Sequence, residues 1–556
     1  MSEENLKIKK TLALAFKNHQ KNNFIVAKNL YVKILKIDPK HFDTLLLLGA
    51  LSIQIKNFEK AIKLLKKAIQ VNSKHADAYY NLALALTELK EFNKAVPYCE
   101  KAIELNPNHV EAYNHLGNIL KELREFKKAK NCYEKTIQLK SNFVKGYNNL
   151  GNIFKEMGEL LEAKNSYQKV LKIQHNHVNA HYNLALLFKV MGDFNQTINS
   201  YENVLKYEPD NLVALLELSN LKKEILNDEI KIKIEQILIK KNSKLENIAY
   251  GNFLLAKYEL KNKNYKKEFD YLIKGHKHYF KLESKKFNAG IKYWLNDLPQ
   301  VKELKKFNKD KIKIKKIDHE IRPIFIIGFP RCGSTLVEKI VASSNQNIPI
   351  GEETNILTSF VGKKMFNKES LNLGIENLRL ELTKEYALKG LVKEKSGYIF
   401  TDKSLDNFFY IGLIKEIFPN AKIINCKRNP LSSIMSLLKT NLRDVTWAHD
   451  LKHIFMFYDI YFKITQNFKK NFPSLIYDLQ YEDFVSDPVS EAKQLIKFCE
   501  LKWDEKCLEF YKRKDLISKT ASNVQVRNAV YKDSVKKYSP YKKYLNKYGK
   551  KYEWFN

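Results

Sequence analysis

Seven leucines, Leu14, Leu48, Leu82, Leu116, Leu150, Leu184 and Leu218, stand 34 residues apart, and no other feature limits the fold so tightly. A fixed period of that length means a stack of like units rather than one globular core. The residue after each leucine is small: Ala15, Gly49, Ala83, Gly117, Gly151, Ala185 and Ser219. Ten positions beyond the leucine stands Phe24, Phe58, Phe92, Phe126, Leu160 or Phe194. A second small column holds Ala27, Ala61, Ala95, Ala129 and Ala163, with Thr197 as its exception. Pro39, Pro107 and Pro209 share a later column with Ser73, Ser141 and His175, and proline there stops one helix before the next begins. Each unit reads as a helical hairpin, in which small residues let two helices approach and leucine and aromatic knobs fill the gap to the neighbour.

These columns, in phase from about residue 7 to 226, resemble the tetratricopeptide repeat, with six full hairpins and a seventh first helix. The resemblance implies a superhelix whose concave groove binds protein or peptide partners. Asn81, Asn149 and Asn183 precede the column leucine, as in the repeats of O-linked N-acetylglucosamine transferase, whose asparagine ladder grips peptide backbone. His115 interrupts the ladder here. An asparagine amide offers both a donor and an acceptor to a passing backbone, although asparagine is abundant throughout this chain. From 227 to 318 the register fades, but Leu255, Ala256 and Tyr265 keep the leucine, small and aromatic spacing. That segment reads as a degenerate helical repeat that caps the array, followed by a Lys-rich linker from Lys302 to Lys316.

A chain of 556 residues is too long for one core, so a further domain must follow the array. Six cysteines without Cys-x-x-Cys pairs argue against a disulfide framework and a zinc site, and no metal is expected. No apolar run reaches the roughly 20 residues that span a bilayer. Glu3, Glu4 and several lysines around a short apolar stretch give the beginning no leader character, so the expected location is cytoplasmic. The formal net charge of +35 suits an acidic partner, a sulfated product or a phosphate-rich cofactor, and equally a solvated surface. Nucleic acid is not an expected partner, because no basic stripe with interleaved stacking aromatics stands out.

At Pro323 the periodicity changes. The run IFIIGF has the length and β-branching of a buried parallel strand and leads into PRCGSTLVEKIVASS. Gly328 and Gly333 bracket a turn and Ser334, Thr335 and Leu336 open a helix, so backbone N–H groups and the helix dipole converge on an anion. The spacing mimics a phosphate loop of the Walker type, but Ser334 stands where that motif needs lysine. An ordinary ATPase, GTPase or nucleotide kinase is therefore disfavoured, while a donor without a γ-phosphate is accommodated. GYIFTDKS, AKIINCKRNPLSSIMS and SLIYDLQYEDFVSDP add three strand-like runs ending near Lys403, Arg428 and Tyr481, and Ser436 follows Arg428 by eight residues on the next helix. Such a pair can place a guanidinium and a hydroxyl on one phosphate. Strands alternating with helices predict a mostly parallel sheet covered on both faces.

PRCGST, GEET, DKS, R-x7-S and YEDFVSDP in this order resemble a sulfotransferase, most closely the tyrosylprotein sulfotransferase branch, over residues 323 to 556. The expected architecture is multidomain, α then α/β: a tetratricopeptide-repeat superhelix over 1–226, the degenerate repeat and linker over 227–318, and a P-loop-like α/β sulfotransferase domain over 319–556. The resemblance implies 3′-phosphoadenylyl sulfate as co-substrate. Its 5′-phosphosulfate end maps to Arg331, Cys332, Gly333, Ser334, Thr335 and Leu336, and its 3′-phosphate to Arg428 and Ser436. Tyr481 and Ser522 are implied near the nucleotide and Lys537 near its phosphates. The family's base, the second glutamate of GEE, matches Glu353, with Glu352 the alternative if the loop is shifted by one residue; Lys403 matches the lysine that assists the leaving phosphate. The chemistry needs such a set. An acceptor hydroxyl must lose its proton as it attacks sulfur, and Lys403 and Arg331 would offset charge on the bridging oxygen.

Cytosolic small-molecule sulfotransferases carry a histidine two residues after that lysine, where this chain has Leu405, so that branch is disfavoured. Cys332 replaces a serine usual in the loop, and Asn355 replaces an arginine of the tyrosylprotein enzymes, which leaves the acceptor open among protein, peptide and saccharide hydroxyls. An appended repeat array resembles bacterial proteins that pair tetratricopeptide repeats with a sulfotransferase domain, and the repeats are expected to recruit the acceptor or a carrier of it. The competing reading is a repeat scaffold that has lost catalysis and only senses nucleotide.

Overall fold

The structure is a computed structural model that describes residues 3–240, 243–301, 304, 321–344, 348–366, 375–393, 398–513, 530 and 538–555. The chain divides into two compact units, Met1–Pro209 and Asp210–Asn556.

In the first unit, twelve helices pack as six hairpins from Glu3–Gln20 to Phe194–Tyr207. The small column is where the second helix of each hairpin lands. The side chain sixteen residues on, Tyr31, Leu65, Cys99, Tyr133, Tyr167 or Tyr201, is 0% exposed in every repeat. A β-carbon on Gly117 or Gly151 would stand 2.6 Å from the Tyr133 or Tyr167 ring. The buried hydroxyls of these two tyrosines donate to Asn118 Oδ1 (2.8 Å) and Asn152 Oδ1 (2.7 Å), which removes the penalty of an unpaired polar atom. Column leucines from Leu48 onward are at most 7% exposed, whereas Leu14, with no described repeat ahead of it, is 51% exposed. The turn inside each hairpin repeats as well: Asn22, Lys56, Lys90, Arg124, Gly158 and Gly192 all take a left-handed backbone, with φ from 60° to 83°.

The second unit begins with the helix Leu212–Leu221, which carries the seventh column leucine. That helix packs on Leu245–Lys261, within the compact unit that starts at Asp210. Leu245–Lys261 and Tyr265–Leu282 pack against each other, and Leu272, sixteen residues after the small Ala256, is buried between them as in the repeats. Two buried clamps tie Tyr265–Leu282 to the helix Pro430–Thr440. Glu268, 1% exposed, pairs with Lys439 Nζ at 2.9 Å and accepts from the Tyr541 hydroxyl. His276 donates from Nε2 to the Leu438 carbonyl (2.8 Å), which leaves its Nδ1 to accept from His449 Nδ1 (3.1 Å).

Four parallel strands form the sheet in the order β2-β1-β3-β4: β1 Arg322–Gly328, β2 Ile399–Asp402, β3 Lys422–Lys427 and β4 Ile476–Gln480. They are the four apolar runs read from the sequence. Helices fill each crossover, as parallel pairing requires. The chain moves from β1 to β2 on one side and returns to β3 on the other, so a switch point opens between the carboxyl ends of β1 and β3, where ligands of open α/β sheets bind.

Two outcomes follow from these contacts. A non-glycine residue in the left-handed region carries strain of about 1–2 kcal/mol. Arg124→Gly, which adopts that conformation freely, should raise the urea midpoint of the repeats, and Gly158→Ala should lower it. Burial holds His276 down to about 4 and His449 to about 3, from 6.5 for an exposed imidazole. Between pH 6.5 and 4 the unfolded chain binds protons that the fold refuses. The stability contributed by this neutral pair is complete above about pH 6.5. It drains as the pH falls toward 4, and His449→Phe should flatten that slope in thermal unfolding.

Candidate active site

The loop after β1 turns on two left-handed residues, Arg331 (φ 72°) and Gly333 (φ 99°), before the helix Ser334–Ala342 begins. At Gly333 only glycine fits, because a β-carbon would lie 2.5 Å from the Tyr481 ring. Tyr481 follows β4 directly, and the Arg428 guanidinium at the end of β3 lies 4.6 Å over its ring, within cation–π range. Arg428 Nη1 donates to the Arg331 carbonyl (3.0 Å), and Arg331 Nε donates to Ser436 Oγ (3.1 Å). The predicted phosphate set from β1, β3 and β4 thus converges on the switch point. Cys332 is buried against Cys426 of β3; the Cys426 thiol hydrogen-bonding to it holds Cys332 below the ordinary thiol value and pushes Cys426 up. Leu336 turns its side chain to the core under the sheet, and its N–H donates to the Gly333 carbonyl (3.0 Å).

The second cluster is built on DKS. Asp402, fully buried, accepts from Thr354 Oγ1 (2.8 Å), the Tyr386 hydroxyl (2.7 Å) and the Ser404 N–H (2.9 Å). Ser404 Oγ accepts from the Asn355 N–H (2.9 Å), so the acid and the serine on either side of Lys403 both anchor the GEET loop. Lys403 is 0% exposed and its Nζ meets Glu353 Oε1 at 3.1 Å, while the Glu353 side chain is 53% exposed. Burial alone would lower the ammonium, but Glu353 and Glu338 outweigh it and hold Lys403 above the ordinary lysine value. Glu338 itself is driven up to about 7 by burial, with Lys403 opposing.

Arg331, Gly333, Ser334, Thr335 and Glu353 line one cleft of about 220 Å³ together with Leu405 and the Leu442–Val445 turn. Leu405, two residues after Lys403, is part of that lining. Arg443 of that turn pairs with Glu217 (3.2 Å) on Leu212–Leu221, so the helix after the repeats supports the wall of the cleft. Three contributors escaped the sequence reading: Glu338, Thr401 and the 442–445 turn. Glu338 had a signal, a lone carboxylate inside the apolar run LVEKIVA beside a ligand loop. Ser522 and Lys537 lie outside the described residues. Among the described residues no group of three His, Cys, Asp or Glu side chains is arranged to hold a metal ion, and no helix is long and apolar enough to cross a membrane.

In the repeats, Asn149 Nδ2 donates to Asn114 Oδ1 (3.0 Å) and Asn118 Oδ1 (3.1 Å), and Asn183 Nδ2 to Asn148 Oδ1 (3.1 Å). Two of the ladder asparagines therefore brace neighbouring repeats with their amide donors. His115 bonds Thr87 Oγ1 (3.1 Å), and burial pushes its ring down to about 4.

Residues 323–505 match the model of the sulfotransferase family. Tetratricopeptide-repeat models match 53–90 and 151–192, 76–109, 98–131 and 178–211. The chain thus carries a sulfotransferase-family domain after an array of tetratricopeptide repeats. An uncharacterized protein of Aquifex aeolicus (strain VF5) is 31% identical over 353 residues, which is 61% of this chain and 45% of that protein. The chain therefore spans less than half of that relative. Among solved structures, MamA is 34% identical over 29% of this chain and 94% of its own, with a TM-score of 0.28. The repeat proteins YrrB (20% identical, 33% of this chain, 95% of its own) and TTC0263 of Thermus thermophilus (18%, 33%, 98%) each have a TM-score of 0.29.

A substitution separates backbone strain from crowding at the loop. Gly390 and Gly333 both have positive φ, but a β-carbon on Gly390 meets nothing within 4 Å. Strain alone costs about 1–3 kcal/mol. Gly333→Ala should therefore lower the thermal midpoint more than Gly390→Ala, and equal shifts would mean that the Tyr481 contact carries no weight.

Proposed function

We propose that this protein is a sulfotransferase that moves a sulfuryl group from 3′-phosphoadenylyl sulfate to a hydroxyl of a protein, peptide or saccharide, with tyrosine among the candidates. The donor supplies an activated sulfuryl group on a phosphate leaving group. Arg428 and Ser436 hold its 3′-phosphate, and the N–H groups at the start of the helix Ser334–Ala342, with Arg331, cradle its 5′ end. Glu353 takes the proton of the acceptor hydroxyl as that oxygen bonds to sulfur and the bond to the bridging oxygen breaks. Lys403 meets the charge that collects on that oxygen.

The observation that carries this reading is the Lys403–Glu353 contact at 3.1 Å, on the same cleft as Arg331. It also explains a switch in partner. While Glu353 is a carboxylate it attracts the ammonium, and once it holds the acceptor's proton that attraction is lost. Lys403 is then released toward the leaving oxygen at the moment charge appears there. The repeats recruit the acceptor or its carrier, a role that suits stacked helical hairpins.

Calorimetry with 3′-phosphoadenosine 5′-phosphate in magnesium-free buffer tests the donor site. Arg428→Ala should weaken binding about 10- to 100-fold, the usual worth of a charged hydrogen bond, and Glu353→Ala should leave it intact. No heat with the unaltered protein would end the sulfotransferase reading, and loss in Glu353→Ala would move that residue into the donor site.

A further inference from the structure

One buried acid has no part in the mechanism above. Glu338 lies one turn into the helix that opens the donor loop and is 1% exposed. Its Oε1 accepts from the Glu352 N–H (3.0 Å) and from Thr401 Oγ1 (2.8 Å). Thr401 Oγ1 in turn accepts from the Gly351 N–H (3.2 Å). The same loop is stitched to β2 by the Thr401 N–H on the Pro349 carbonyl (3.0 Å) and the Lys403 N–H on the Glu352 carbonyl (2.8 Å).

That loop needs holding. Glu352 and Asn355, either side of Glu353 and Thr354, both take φ of 50° without being glycine, a conformation that persists only where the surroundings over-determine it. A buried carboxylate beside Lys403 is costly unless it is hydrogen-bonded and charge-compensated, and a purely apolar residue would pack the same helix face against the core without that cost.

We propose that Glu338 is a positioning residue for the acceptor base: it ties the donor-loop helix to the loop carrying Glu353, so that occupation of the donor loop is transmitted to Glu353. The inference rests on the assignment of the donor loop and base made above. Glu338 touches neither substrate; it acts through the Glu352 amide and through Thr401.

Hydrogen exchange read by mass spectrometry over residues 349–355 tests it in the full chain. Without ligand, Glu338→Ala should speed exchange of this segment about 10-fold or more, the effect of leaving a buried donor without its acceptor, while the repeats keep their native rates. Glu338→Gln keeps the accepting oxygen and should stay close to the unaltered protein. 3′-Phosphoadenosine 5′-phosphate, used as the probe, should slow exchange of 349–355 in the unaltered protein and in Glu338→Gln but not in Glu338→Ala. Native exchange in Glu338→Ala, or equal acceleration in Ala and Gln, would overturn the proposal. If Glu338→Ala does not fold, Thr401→Val removes the hydroxyl between Glu338 and Gly351 and should accelerate the same segment; no acceleration refutes the link. A probe that gives no heat with the unaltered protein refutes the donor-site assignment instead, and the ligand-free comparison still decides what Glu338 does.

Discussion

Strand β1 pairs on both sides, with β2 from Arg322 opposite Ile399 and with β3 from Ile324 opposite Lys422, and the candidate site depends on those two registers. The pairing with β3 sets Gly328 beside Cys426, so the loop leaving β1 and the Arg428 guanidinium leaving β3 meet at their carboxyl ends. The pairing with β2 sets Phe325 beside Asp402, so Lys403 leaves β2 at the level of Ile326, before β1 reaches Gly328. A shift of one residue in either ladder would turn Lys403 or Arg428 to the opposite face, because side chains alternate along a strand.

Electrostatics divides the cleft into two kinds of positive charge. Arg331 lines the cleft and bonds Ser436, and Arg428 bonds the Arg331 carbonyl; both side chains are partly exposed. Lys403 is sealed in, and its charge is sustained by the nearby carboxylates rather than by water. A buried ammonium that can exchange one of those partners for another anion suits a role confined to the moment of transfer. Its neighbour Glu338 is itself driven up to about 7 by burial, and the Lys403 charge opposes that rise.

The helical part of the second unit is more than a spacer. Glu268 and His276 on Tyr265–Leu282 grip Lys439 and Leu438, which sit three and two residues beyond Ser436 on the same helix. Glu217 grips Arg443 on the cleft wall. Helices of repeat-like geometry thus buttress the helix that carries Ser436 from outside the sheet.

By itself the sequence determined the elements and singled out most of the residues that the fold gathers at the candidate site. A 34-residue period reports contacts between near neighbours, so every small column and its partner sixteen residues on is visible in one dimension. Apolar runs of strand length, each ending in a motif, likewise placed the loop after β1, Lys403, Arg428 and Tyr481. Only the tertiary structure decided what joins distant segments. Glu338 meets Thr401 across 63 residues, His276 meets His449 across 173 and Tyr541 meets Glu268 across 273, and none of these pairs belongs to a period or a motif. The packing of Leu212–Leu221, which keeps the repeat's column leucine, on Leu245–Lys261 belongs to the same class of contact. Local patterns fix which backbone forms; which buried charge finds its counter-charge depends on the packing of whole elements, and that is set only when the chain has folded.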